Sequence, residues 1–147
     1  MSIYLTKAEA EQALSKIIWC YSDDSGAYQA ADLLIDLNSI EGEVGGMLAV
    51  RYKLPITEPV ALEVLKAYII TLLRVRAYSR HPTAETPESV LQEGRQTRGA
   101  LRDISSGAQL LGDAPQRVDG VRATSMGSVT GTSDEPQFTR AKLGAWG

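Results

Sequence analysis

The chain has 147 residues, one histidine and one cysteine, with apolar residues at 44%, charged residues at 22% and a formal net charge of −3. That length suits one domain with its own core. One cysteine excludes an internal disulfide framework, one histidine leaves too few soft ligands for a zinc site, and the negative balance argues against a general nucleic-acid binder. No apolar run of signal-peptide type follows Met1, so export is not expected.

The charge is unevenly divided. Residues 1–63 carry four Lys/Arg against ten Asp/Glu, and residues 64–147 carry eleven against eight. Such a split suggests opposite-signed faces suited to ordered self-association or to a polyanion on one side. A chance bias on solvated helices is equally compatible with it.

The first predicted helix opens at Thr6-Lys7-Ala8-Glu9, which has the capping-box form. Leu14, Ile17 and Ile18 continue its stripe, with Trp19, Cys20 and Tyr21 near its end. Ser22 to Gly26 is a turn-forming cluster. A second helix is expected from about Ala27 to Tyr52, because Leu33, Leu37, Ile40, Val44, Met47 and Leu48 repeat at three and four residues. Asp32, Asp36, Glu41 and Glu43 are assigned to its outward side. Gly42, Gly45 and Gly46 weaken it by roughly 1 kcal/mol each against alanine, and either admit another backbone or mark a kink. Leu54-Pro55 is expected to end it.

Pro59 to Tyr78 is the most apolar segment and is read as the central core helix. It does not span a membrane: Lys66 and Arg74 bracket only Ala67 to Leu73, where about 18 apolar residues are needed. A fourth helix runs from the cap Thr86, with Pro87 in its first turn, to about Ser105, and Gly107 is its stop. Residues 112–147 hold six of the thirteen glycines and few large apolar residues. The fold class is therefore all-α: a bundle of about four helices over 1–111, then a long irregular arm over 112–147. A short β-hairpin is possible at Val118-Asp119-Gly120-Val121. Phe138, Arg140, Leu143 and Trp146 anchor the end of that arm, which docks on a neighbouring subunit or folds back on its own core.

Chemistry is thinly represented. Cys20 beside Trp19 and Tyr21 reads as a buried inert thiol, and nothing in the sequence pairs it with His81. Counting from Asp23, the twelfth position is Leu34, not the glutamate that closes a calcium loop. The glycines of the second helix do not form a phosphate loop. Glu41, Glu43 and Glu63 are expected to be solvated or salt-bridged. No catalytic, cofactor or metal residue is assigned, and the chain is not expected to be an enzyme. Arg95, Arg98 and Arg102 form a basic stripe. It suits either DNA phosphates, as in a small DNA-binding regulatory protein, or salt bridges to the acidic first half.

The order of these features carries a resemblance. Arg51-Tyr52-Lys53-Leu54-Pro55, then Pro59, Arg74-Val75-Arg76-Ala77-Tyr78, Arg80-His81-Pro82-Thr83, Leu101-Arg102-Asp103-Ile104, Phe138-Thr139-Arg140 and Leu143-Gly144 follow one another along the chain. This ordered set resembles the Mu-like phage family of head-completion, or head-to-tail connector, proteins. His81 stands where that pattern expects arginine, and the second helix has extra glycines. The resemblance implies a structural virion protein at the neck: a homo-oligomeric ring, expected to be twelve-fold, between portal protein and tail or tail-terminator proteins. Genomic DNA would pass through its channel without sequence specificity. It implies no cofactor and no membrane. It makes Arg51, Tyr52, Arg74, Arg76 and Arg80 candidates for subunit or DNA-channel contacts, with Arg95, Arg98 and Arg102 beside them.

Overall fold

The computed structural model describes residues 2–81 and 84–117. Four α-helices and one 3-10 turn carry the chain: α1 (Lys7–Ala13), the turn Ile18–Tyr21, α2 (Ala30–Leu48), α3 (Pro59–Arg80) and α4 (Glu88–Ser106). The all-α reading holds. Only two isolated β-bridges occur among the described residues, Ser22 with Tyr28 and Tyr52 with Gln116.

Local signals set most helix ends. The Thr6 hydroxyl accepts the Glu9 N–H while the Glu9 carboxylate accepts the Thr6 N–H at 2.7 Å, so both halves of the capping box form. Gly107 closes α4 in the left-handed region at φ 88°. Pro59 begins α3 without a side-chain cap on its own element. The free Ala61 N–H donates instead to Asp113 Oδ1 at 3.0 Å, so an acid 52 positions away serves that helix terminus.

Three boundaries differ from expectation. α1 stops at Ala13, and Trp19 to Tyr21 belong to the separate 3-10 turn. α2 ends at Leu48, six residues before Leu54. Beyond it a turn follows in which the Arg51 and Tyr52 N–H groups both donate to the Leu48 carbonyl, and Tyr52 bridges to Gln116. Thr86 is not the cap of α4. Pro87 holds that position, and its carbonyl accepts from Val90 and Leu91, which leaves Thr86 one residue too early.

The core lies between α2, α3 and α4. Leu33, Leu37, Ile40, Val44 and Leu48 of α2 face Ala61, Leu65, Ile69, Leu72, Leu73 and Ala77 of α3, with Leu101 and Ile104 closing from α4. α3 touches α2, α4 and the 3-10 turn, which makes it the central helix its composition announced. Residues 112–117, grouped with the arm on sequence grounds, lie against the bundle. Leu111 is buried, its N–H donates to the Tyr52 hydroxyl at 3.0 Å, and the Arg117 N–H donates to the Arg51 carbonyl at 2.7 Å. The hairpin expected at 118–121 falls outside the described residues.

Glycines play opposite roles in α2 and α4. A Cβ at Gly94 would stand 2.7 Å from Val75 Cγ2, so α3 and α4 are close because Gly94 is bare. Gly42 and Gly46 meet nothing within 4 Å, and α2 runs through them unbroken. Gly94→Ala is therefore expected to destabilise by about 1 kcal/mol or more, and Gly46→Ala to stabilise by about 0.5–1 kcal/mol. Urea unfolding of the two variants reads the opposite signs directly.

Candidate functional site

The charged residues divide into those that knit the bundle and those left facing outward. The strongest junction is at Asp36. This carboxylate is buried on α2, accepts from Arg80 Nε at 2.9 Å and Nη2 at 3.0 Å, and accepts from the Tyr21 hydroxyl at 3.1 Å. Asp32 adds a second acid 3.4 Å from Arg80. The bidentate bond to Asp36 raises the Arg80 pKa, and burial beside Asp36 pushes the Tyr21 phenol well up, so both stay protonated. Arg80 also stands over the Tyr21 ring, 5.8 Å from its centre.

Glu41 is the second junction. It was expected to be solvated or salt-bridged on the outer side of α2. It is buried instead, and its two oxygens accept the N–H groups of Ile3, Tyr4 and Leu5 at 2.6, 2.9 and 3.0 Å. Asp36 corrects the same expectation. Both sit on the helix face that meets another segment, and each is tolerated there because every desolvated oxygen has a donor.

The eight cationic or aromatic contact candidates separate accordingly. Tyr52 is buried, with its hydroxyl accepting from Leu111, so it presents no surface to a partner. Arg80 is engaged by Asp36 and Asp32. Arg98 pairs with Glu43 of α2 at 3.3 Å, and Arg95 pairs with Glu88 of its own helix at 3.5 Å. The basic stripe is thus not intact: its middle member ties α4 to α2. The Arg51 guanidinium lies against Gly107 at the end of α4, where any Cβ would collide with it, and its Nε is buried without a hydrogen bond. Among the described residues Arg76 reaches the Ser39 hydroxyl, at 3.5 Å. Arg74, Arg76 and Arg102 form no ion pair among the described residues. Arg74 shares a pocket of about 400 Å³ with Lys16, Ser15 and Tyr78. Phe138, Arg140, Leu143 and Trp146 lie outside the described residues.

Two concavities were not legible in the sequence. One of about 440 Å³ brings Cys20 and His81 together with Tyr21, Asp32 and Arg80. His81 caps α3 and meets Trp19 edge-on, ring centres 5.3 Å apart. Burial raises the Cys20 pKa, which favours the thiol over the nucleophilic thiolate. The other is an apolar groove of about 730 Å³ along α2, walled by Ile3, Tyr4, Gly42, Gly45, Gly46 and Leu54. No group of three or more His, Cys, Asp or Glu placed to hold a metal ion is found among the described residues. None of the described helices is long and apolar enough to cross a membrane.

Such a body, with ion pairs between its helices and further charges on its surface, defines a small all-helical protein built around one bundle. The family model described as Bacteriophage Mu, Gp36 matches residues 4–128. The chain belongs to that bacteriophage family, as its ordered motifs suggested. No curated protein matches it.

Two expected outcomes follow from the ion pairs. Arg80→Ala strands the Asp36 carboxylate on a single phenol donor and should cost about 2 kcal/mol in urea unfolding; a variant within 0.5 kcal/mol of wild type would show that the pair holds nothing. The Lys66 ammonium at 2.7 Å and the Thr6 N–H hold the Glu9 pKa down to about 2 from the ordinary 4.5. A lowered folded-state pKa adds stability above pH 4.5 that is lost as pH falls towards 2. Glu9→Gln should therefore be less stable than wild type at pH 7, by under about 1 kcal/mol for so exposed a pair. The gap should close between pH 4.5 and 2.

Proposed function

We propose that this protein is a structural component of the virion neck: a head-to-tail connector that forms a ring between portal and tail and surrounds the DNA channel. The observation that carries the reading is the phage-family match over residues 4–128, which takes in the entire helical body. The physics supports it. Four ion pairs join one helix to another within one chain, so they fix which helices are neighbours in the body. Lys16, Arg74, Arg76 and Arg102 remain as outward cations able to meet DNA phosphates without reading base sequence. Arg95 and Arg98 contribute less to such a surface because acids already face them. Phe138, Arg140, Leu143 and Trp146 supply contacts between subunits or to an adjoining layer. Portal and tail proteins are the proposed partners, and the neck of the particle is the proposed location.

Electron microscopy of purified particles tests this. The expected result is a ring of this chain directly beneath the portal, with Arg74 or Arg102 turned to the channel. Its absence from the neck layer overturns the connector assignment.

A further inference from the structure

We propose that the groove on α2 is the receptor for residues 136–147 of a second copy of this chain. The groove is open among the described residues. At its rim Ile3 is 67% exposed and Leu54 is 40% exposed, two large apolar side chains with no cover on one face. Its floor is bare helix: Gly42 and Gly46 have no heavy atom near where a Cβ would stand. A flat aromatic ring can therefore approach the α2 backbone closely. The one carboxylate in the wall, Glu41, is held by three backbone N–H groups and does not demand a cation of its own.

The terminal segment matches this surface. Pro136 to Gly147 contains Phe138, Leu143 and Trp146, together with Arg140 and Lys142 and no acid. It is a cationic apolar strip, and what the groove offers it is apolar surface, since the one carboxylate in the wall is already satisfied. Length and departure point put both its own groove and a neighbour's within reach. Arg117 is fixed beside the end of α2, its N–H on the Arg51 carbonyl at 2.7 Å and its guanidinium on the Ala49 carbonyl at 3.1 Å. The groove begins at Gly45, Gly46 and Leu54, a few residues away. Residues 118–137 can span roughly 66 Å, whereas a folded body of this size is about 35 Å across. As a coil the same residues average about 25 Å end to end, so the segment meets the groove of an adjacent subunit as readily as its own, and the choice of the neighbour comes from the ring. The inference rests on the ring reading, because a donor and an acceptor on every copy are what a closed ring of identical subunits needs.

The test uses two full-length variants. In Gly42→Leu/Gly46→Leu the groove is filled, and replacing two helical glycines favours the fold. In Phe138→Ala/Trp146→Ala the donor is removed. Sedimentation velocity should show wild-type chain self-associating, with association weakened about tenfold or more in each variant. An equimolar mixture of the two should pair one to one, since one retains the arm and the other the groove. A groove-filled variant that associates as tightly as wild type overturns the proposal. So does a wild-type chain that stays monomeric across the concentration range. A neck layer seen in particles together with failure of this pairing removes the groove assignment alone. Pairing in solution without a neck layer removes the connector reading alone.

Discussion

The contact between Asp36 and Arg80 is the constraint on which the rest of the bundle depends. A carboxylate inside a helix interface is costly unless its charge and both oxygens are satisfied. Here a guanidinium from the far end of α3 and a phenol from the 3-10 turn do so together. The cost of leaving that group bare penalises any packing in which α3 slides along α2. Leucines at three- and four-residue spacing tolerate several registers; this triad selects one. It also seats Tyr21, and through it the turn that packs against α2 and α3.

The uneven charge along the chain has a specific explanation in these contacts. Glu9 meets Lys66, Asp32 and Asp36 meet Arg80, and Glu43 meets Arg98. Each pair takes its acid from the first 63 residues and its base from the remainder. The sequence split that suggested self-association is thus used in part to assemble one copy. What it leaves over is scattered: Lys16 and Arg74 at one pocket, Lys53 after α2, and Arg76 and Arg102 on exposed helix faces, with exposed acids such as Glu63, Glu85 and Glu93 beside them. Surface pairs of this kind contribute little individually, but together they fix which helices are neighbours.

Legibility in the sequence followed the range of the interaction. The Thr6–Glu9 box, the Gly107 stop, Pro59 at the start of α3 and the apolar stripe of α3 are local patterns, and all four are found. Asp36 and Glu41 were misplaced because periodicity records which face a residue occupies, not what meets that face. Nothing near Glu41 in sequence announces three donors 36 to 38 positions away. Tyr52 became a contact candidate through the resemblance, as part of Arg51-Tyr52-Lys53-Leu54-Pro55, yet its partner is Leu111, 59 positions on. Gly94 gave no signal at all, since its role exists only once Val75 of another helix lies against it.

The attachment of residues 111–117 has a mechanical consequence. Tension applied to the chain beyond Arg117 does not run first into α4, the helix nearest in sequence. It is taken by the Arg117–Arg51 and Lys53–Pro115 backbone bonds, then by Asp113 on the start of α3 and Tyr52 on Leu111. The force path enters at the α2–α3 junction and spreads over two helices, so a pull along the tail is borne by the centre of the bundle and α4 is spared.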